Sequence, residues 1–286
     1  MRRMKASTLR RLEGSLFIAP WVSGFLLFMA FPLGYSFYMS FHDVKVLADG
    51  IKMTFLGLEN YQYILFTNGS VLYNDLIPFL QQALLMIPII VIFSLLVAIM
   101  LNQKFKGRGL FRTIFFLPVI FSTGQIVNEF LTQGEGDLGF LERYNIAFYI
   151  REAVSPRLAE PIIGVMDSFV LVLWYSGVQI LIFVAGRQTI SASVYEAARI
   201  DGASPWETFW KITLPGMLPF IMLNTLYTIV DLFTFPTNPI ITKVTNTHYG
   251  QSSALVWIYL VIILTFLGVV MLLFARLIKS YQSTHR

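Results

Sequence analysis

Residues 76–101 read LIPFLQQALLMIPIIVIFSLLVAIML, a run without a single charged side chain. A helix crosses the hydrocarbon core of a bilayer with about 20 mostly apolar residues, so this stretch is long enough to span a membrane. Working outward from it, five further stretches qualify: Ser15 to Phe41, Leu110 to Leu131, Pro161 to Gly186, Leu214 to Phe235 and Ser253 to Ile278. Several contain prolines, among them Pro20, Pro32, Pro88 and Pro118. Membrane helices tolerate proline where neighbouring helices satisfy the freed carbonyls. The expected fold is an all-α integral membrane protein of about six transmembrane helices, forming one transmembrane domain over residues 1–286.

Composition agrees. Hydrophobic residues make up 56% of the chain and charged residues 13%, about half the usual charged share of a globular domain. The net charge of +5 does not point to nucleic acid, because the basic residues lie between apolar spans and not on one face. Fifteen of the 21 lysines and arginines fall in one alternate set of connecting segments, including Arg2, Arg108, Arg112, Arg187, Arg199, Lys211 and Arg276. The positive-inside bias therefore predicts that both termini are cytoplasmic, as an even number of spans also requires. The basic N-terminus precedes an apolar run too long for a signal peptide and without a small-x-small cleavage site. The longest loop, Thr132 to Glu160, has room for a short helix.

Several chemistries are missing. Cysteine is absent, which excludes a disulfide framework. There is no G-x-x-x-x-G-K-[ST] phosphate loop, no H-E-x-x-H and no C-x-x-C, so neither an ATP cradle nor a common metal site is visible. His42, His248 and His285 are the three histidines, and the spans place them at membrane edges or tails as solvated side chains. Asp231 and Glu129 are the clear cases of charge inside the spans, each near a span end. That is sparse for an ion-coupled carrier. No catalytic constellation can be assembled, and an enzyme is not expected.

The segment Ser193–Pro219, SVYEAARIDGASPWETFWKITLPGMLP, reads as two short helices joined by a tight turn. Ser193 and Glu196 have the spacing of a capping box. Gly202 follows the first helix and suits a left-handed backbone. Ser204, Pro205 and Glu207 form a second N-terminal signal, and Pro215 is expected to stop the second helix and open the next span. Val194, Ala197 and Ala198 share one side of the first helix, and Trp206, Phe209 and Trp210 one side of the second. Such stripes either pack on the protein's own helices and lipid or dock a partner.

Glu196-Ala197-Ala198, Gly202 and Ile212-Thr213-Leu214-Pro215 resemble the EAA loop of importer permeases in the ABC transporter superfamily. The stretch Ala197–Ser204, AARIDGAS, resembles the carbohydrate-uptake branch that includes the maltose and glycerol-phosphate permeases. Phe55-Leu56-Gly57-Leu58-Glu59-Asn60-Tyr61, Gly107-Arg108-Gly109, Phe115-Phe116-Leu117-Pro118 and Asp231-Leu232 resemble further segments of that branch in the right order. The sequence departs from it at Pro236-Thr237-Asn238-Pro239, where the family often has G-G-G-P. It departs again at Arg187 with Thr189-Ile190-Ser191, before the EAA loop. It also lacks the large extracytoplasmic insertion of the maltose permease.

The resemblance implies a multi-pass permease of the bacterial cytoplasmic membrane. Its partners would be a second, related but different permease, an ATPase dimer that binds the ATP and Mg, an extracytoplasmic solute-binding protein and membrane lipid. This chain itself would hold no cofactor. Glu196, Ala197, Ala198, Asp201 and Gly202, within the loop 187–213, would couple to the ATPase. For the substrate path, Tyr175 and Gln179 lie four apart on one helix face, and Asn224, Tyr227, Thr228 and Asp231 form a polar stripe on the fifth span. That stripe either contacts substrate or hydrogen-bonds another helix. The leading reading is a sugar or oligosaccharide permease working by alternating access. The rivals are a permease for glycerol phosphate, a polyamine or an amino acid, and a non-transporting membrane interaction protein.

Overall fold

A computed structural model describes residues 6–47, 50–67, 71–103, 105–120, 144–167, 169–235, 238–244 and 248–284. It is mostly helical, and among the described residues five helical stretches are long and apolar enough to cross a membrane: Glu13–Met39, Tyr73–Asn102, Leu171–Gln188, one within Pro205–Thr242, and Tyr249–Lys279. The chain divides into two compact units, residues 1–69 with 243–260, and residues 70–242 with 261–286.

In the first unit, α1 (Ala6–Phe25) runs through a π-helical turn, Leu26–Ala30, into α2 (Phe31–Met39). Pro32 closely follows that π-helical turn, a local break in the i→i−4 ladder of the kind found where a helix takes in a residue without an N–H. Two strands, β1 (His42–Leu47) and β2 (Gly50–Phe55), then pair antiparallel with His42 opposite Phe55 and Leu47 opposite Gly50. This hairpin corrects the all-α expectation. The signal was present in the alternation of Val44 and Val46, then Ile51 and Met53, the period of two that marks a strand. His42 is a second correction, since it is 6% exposed and its Nδ1 lies 2.8 Å from the Tyr38 carbonyl.

The short helix α3 (Glu59–Gln62) returns the chain to the end of α2. Asn60 is buried and its amide donates to the carbonyls of Ser40 (2.9 Å) and His42 (3.1 Å). The Tyr61 hydroxyl lies 2.7 Å from Ser40 Oγ. The G-L-x-N-Y segment is thus a clamp on the carbonyls of Ser40, the C-cap of α2, and His42, the first residue of β1. Asn60→Ala is expected to lower thermal stability by about 1–3 kcal/mol, the usual cost of orphaning a buried polar group. An unchanged melting temperature for the purified variant would contradict the clamp.

In the second unit, α4 (Ile77–Asn102) follows a π-helical turn and coincides with the expected second span. The third expected span, Leu110 to Leu131, is represented by α5 (Arg108–Ile120); the rest, with Glu129, lies outside the described residues. The 132–160 loop does contain a helix, α6 (Ile146–Ala153). The fourth expected span, Pro161 to Gly186, falls on two described helical stretches, α7 (Pro156–Asp167) and α8 (Phe169–Gln188), with residue 168 outside the described residues. The two belong together locally for a reason: Ala159 and Ile163 of α7 are buried while Glu160 pairs with Arg151 of α6 at 3.0 Å, giving α7 an amphipathic and not an all-apolar surface.

Beyond α8 come α9 (Ala192–Ile200), α10 (Pro205–Thr208), a π-helical turn Phe209–Thr213, and α11 (Leu214–Thr234). Pro215 does not stop a helix as expected. It stands in the first turn of α11, and the π-helical turn before it carries the chain through without a break. The chain ends with α12 (Pro239–Thr242) and α13 (Tyr249–Thr284). The core of this unit joins α4, α8 and α11 through Val91, Leu95, Ala98, Phe183, Val184 and Met217, all buried.

Candidate functional site

The loop between α8 and α11 is shaped by its caps. The first helix starts earlier than the Ser193–Glu196 spacing predicted. Ser191 is the N-cap, and its side chain accepts the Ser193 backbone N–H at 3.3 Å. The helix ends in a Schellman motif. Gly202 has φ of +77°, its N–H donates to Arg199 (3.1 Å), and the Ala203 N–H donates to Ala198 (2.9 Å).

The next helix opens with a complete capping box. The Ser204 N–H donates to Glu207 (2.9 Å), and the Glu207 N–H donates to the Ser204 hydroxyl (3.2 Å). The Ser204 backbone bond, then its hydroxyl, then Lys211 hold the Glu207 carboxyl below the usual carboxylate range. The cap is therefore at full strength above that range and weakens as pH falls through the lowered pKa.

Within this loop Glu196, Ala197, Asp201 and Gly202 are exposed, while Ala198 is buried at 7% exposure. Ala198 seats the helix and the others face outward. Val194 is exposed, as are Trp206 and Trp210 at 69% and 48%. Trp206 and Trp210 meet edge to face at 5.5 Å. The apolar stripes read from the sequence are thus only partly covered by this chain.

A brace that sequence reasoning did not anticipate fixes the loop to its flanking helices. The Arg187 guanidinium lies 3.9 Å from the Tyr195 ring centroid, a cation–π geometry. The Tyr195 hydroxyl lies 3.0 Å from Thr213 Oγ1. The end of α8, the middle of α9 and the foot of α11 are therefore tied at one point. Beside the brace is a cavity of about 420 Å³ lined by Asn102, Arg187, Tyr195, Arg199, Thr208 and Thr213, among others.

The polar residues deeper in the unit form a helix-to-helix node. Gln179, Asn224 and Thr228 are fully buried. The Asn224 amide donates to the Gln179 backbone carbonyl, and the Gln179 amide to Thr228 Oγ1, each at 3.2 Å. Tyr175 is buried and its ring meets Phe235 edge to face at 5.0 Å. It lines a cavity of only about 110 Å³, below the roughly 300 Å³ at which ligand pockets begin. Tyr227 and Asp231, by contrast, are partly exposed. The stripe is split: its Asn224–Thr228 edge locks α11 to α8, and its Tyr227–Asp231 edge is accessible.

Asn224→Ala is accordingly expected to lower melting stability by roughly 0.6–2 kcal/mol and to leave substrate preference unchanged. Tyr227→Ala is expected to alter uptake with little effect on stability. Uptake and thermal unfolding measured on both variants check the division, and the reverse pattern would contradict it.

Residues 64–282 match the family described as binding-protein-dependent transport system inner membrane component. The probable ABC transporter permease protein YesP of Bacillus subtilis is 28% identical over 287 residues, covering 92% of this chain and 90% of that protein. The lactose transport system permease protein LacF of Rhizobium radiobacter is 30% identical over 229 residues, covering 77% of this chain and 73% of its own length. Among solved structures, a bacterial alginate ABC transporter in complex with an alginate pentasaccharide-bound periplasmic protein has a chain of the same fold. Its TM-score is 0.62 at 17% identity, covering 97% of this chain and 99% of that one. The chain therefore belongs to the family of binding-protein-dependent transport system inner membrane components, as an ABC importer permease related to the carbohydrate-uptake permeases.

Proposed function

We propose that this chain is one of two permease subunits of a sugar or oligosaccharide importer in the bacterial cytoplasmic membrane, driven by a separate ATPase dimer that engages the 187–213 loop. Six transmembrane helices with both termini cytoplasmic complete the proposed topology. The observation that carries the reading is the braced loop. Two capped helices present Glu196, Ala197 and Asp201 outward, while Arg187, Tyr195 and Thr213 tie the loop to the feet of α8 and α11. A push on this loop moves the ends of two membrane helices, as rigid-body alternating access requires.

The relatives bear on the cargo. LacF is named for lactose, and the structural neighbour was solved with a periplasmic protein carrying an alginate pentasaccharide. Sugars are bound by aromatic faces and hydrogen-bonding groups. Tyr227 and Asp231, partly exposed on α11, are the residues of this chain proposed to meet one.

The reading is tested by purifying the assembled complex, identifying its subunits, and identifying the solute bound to the accompanying binding protein. An ATPase, a second permease and a saccharide-loaded binding protein are expected. A complex without an ATPase would refute the importer reading; a binding protein loaded with an amino acid or polyamine would refute the sugar assignment.

A further inference from the structure

We propose that the foot of α5 is a binding site for an anionic phospholipid, with Arg112 holding the phosphate and the neighbouring cavity taking the acyl chains. Arg108, Phe111, Arg112 and Phe115 follow i, i+3, i+4 and i+7 and share one face of α5. Nε of Arg108, and both Nε and Nη2 of Arg112, are shut off from solvent and donate to no acceptor among the described residues. None of the ion pairs among the described residues uses either arginine. Nε and Nη2 form the edge of a guanidinium that grips two oxygens of a phosphate or carboxylate side by side. Leaving that edge unpaired is costly, so an anion that reaches it as the side chains covering it move aside is the chemistry that completes it.

The adjoining cavity identifies the anion. It measures about 420 Å³ and is walled by Met100, Leu101, Phe105, Phe111 and Phe115, with Gln103 as a polar member. It lies where α4 ends and α5 begins, at the level where the apolar span of α4 meets its connecting turn. A carboxylate side chain of another protein would satisfy Arg112 and leave this apolar space unfilled. Inorganic phosphate would do the same. A phospholipid supplies both parts in one molecule, a phosphate at the height of the arginines and hydrocarbon for the phenylalanine-lined cavity. Basic residues at this end of the bundle, including Arg187 and Arg199 beside the other cavity, add attraction for anionic headgroups. The proposal rests on the membrane-spanning reading and is independent of the importer's cargo.

The test uses the purified importer complex in detergent, titrated separately with phosphatidylglycerol, phosphatidylcholine and inorganic phosphate. Bound lipid is counted by native mass spectrometry and stability by thermal unfolding. Phosphatidylglycerol is expected to bind about tenfold more tightly than phosphatidylcholine, and phosphate to change nothing. Arg112→Gln should remove most of that preference, and Arg112→Lys should keep part of it, because lysine retains the charge without the two-pronged edge. Met100→Trp, which fills the cavity and leaves both arginines in place, should weaken phosphatidylglycerol binding and so tests the site even if Arg112→Gln fails to assemble. Equal binding of the two lipids by the wild type, stabilisation by inorganic phosphate alone, or full phosphatidylglycerol affinity in Met100→Trp would overturn the proposal.

Discussion

Gly202→Pro is expected to abolish uptake while the protein still reaches the membrane. The backbone at Gly202 has φ of +77°, and proline is confined to about −65°. The substitution also removes the N–H that donates to the Arg199 carbonyl, and it breaks the geometry in which the Ala203 N–H reaches Ala198. Both bonds of the Schellman motif go together. The capping box at Ser204 then opens the next helix in a wrong direction, and the outward residues Glu196, Ala197 and Asp201 no longer share a surface with Trp206 and Trp210. The membrane spans are unaffected, because Gly202 is exposed and an added Cβ there meets nothing within 4 Å. Gly202→Ala separates backbone from bulk: it keeps the N–H and costs about 1 kcal/mol for the left-handed conformation, so uptake should fall only in part. The check is uptake of labelled saccharide alongside membrane abundance, and uptake at the wild-type rate in the proline variant would contradict the turn's role.

The second large effect is structural. In Gly250→Ala the new methyl would overlap the carbonyl oxygen of His42, and it would lie 3.2 Å from the Asn60 amide nitrogen. That carbonyl is backbone and is already held by the Asn60 side chain, so neither neighbour can turn aside. Relief requires the first turn of α13 to back away from the end of α2 and its clamp. Overpacking of this kind costs typically 1–3 kcal/mol and occasionally more; the upper end, about 3 kcal/mol, is expected here because the obstructing atom is backbone. Thermal unfolding of the purified variant should show a clearly lowered transition and reduced yield in membranes. A wild-type transition would show that the α13–α2 contact is looser than described.

The parts of this protein written in local chemistry were legible in the sequence. The apolar run over Leu76–Leu101 announces a membrane helix because no soluble fold needs it. Ser204, Pro205, Glu207 and Gly202 announce caps because each acts on its own few residues, and the structure has all four in those roles. Legibility ended where the deciding partner lay elsewhere in the chain. Asn224 and Thr228 were visible as a polar stripe, but that they face α8 depends on Gln179, 45 and 49 residues away. The brace of Arg187, Tyr195 and Thr213 was missed for the same reason: each residue is ordinary alone, and only the fold brings guanidinium, ring and hydroxyl together. The hairpin was missed because each strand is only 6 residues long, too short for alternation to stand out beside a long apolar span.

The central claim is that this permease moves a saccharide only when an ATPase acts on its 187–213 loop. The direct measurement is uptake of labelled oligosaccharide into vesicles holding the reconstituted complex with its binding protein, with and without enclosed ATP, for the wild type and for Gly202→Pro. The account predicts ATP-dependent accumulation by the wild type. It predicts none without ATP, and none by the proline variant even though its ATPase subunits remain able to hydrolyse ATP. Accumulation that proceeds without ATP, or that persists in the variant at the wild-type rate, would contradict it.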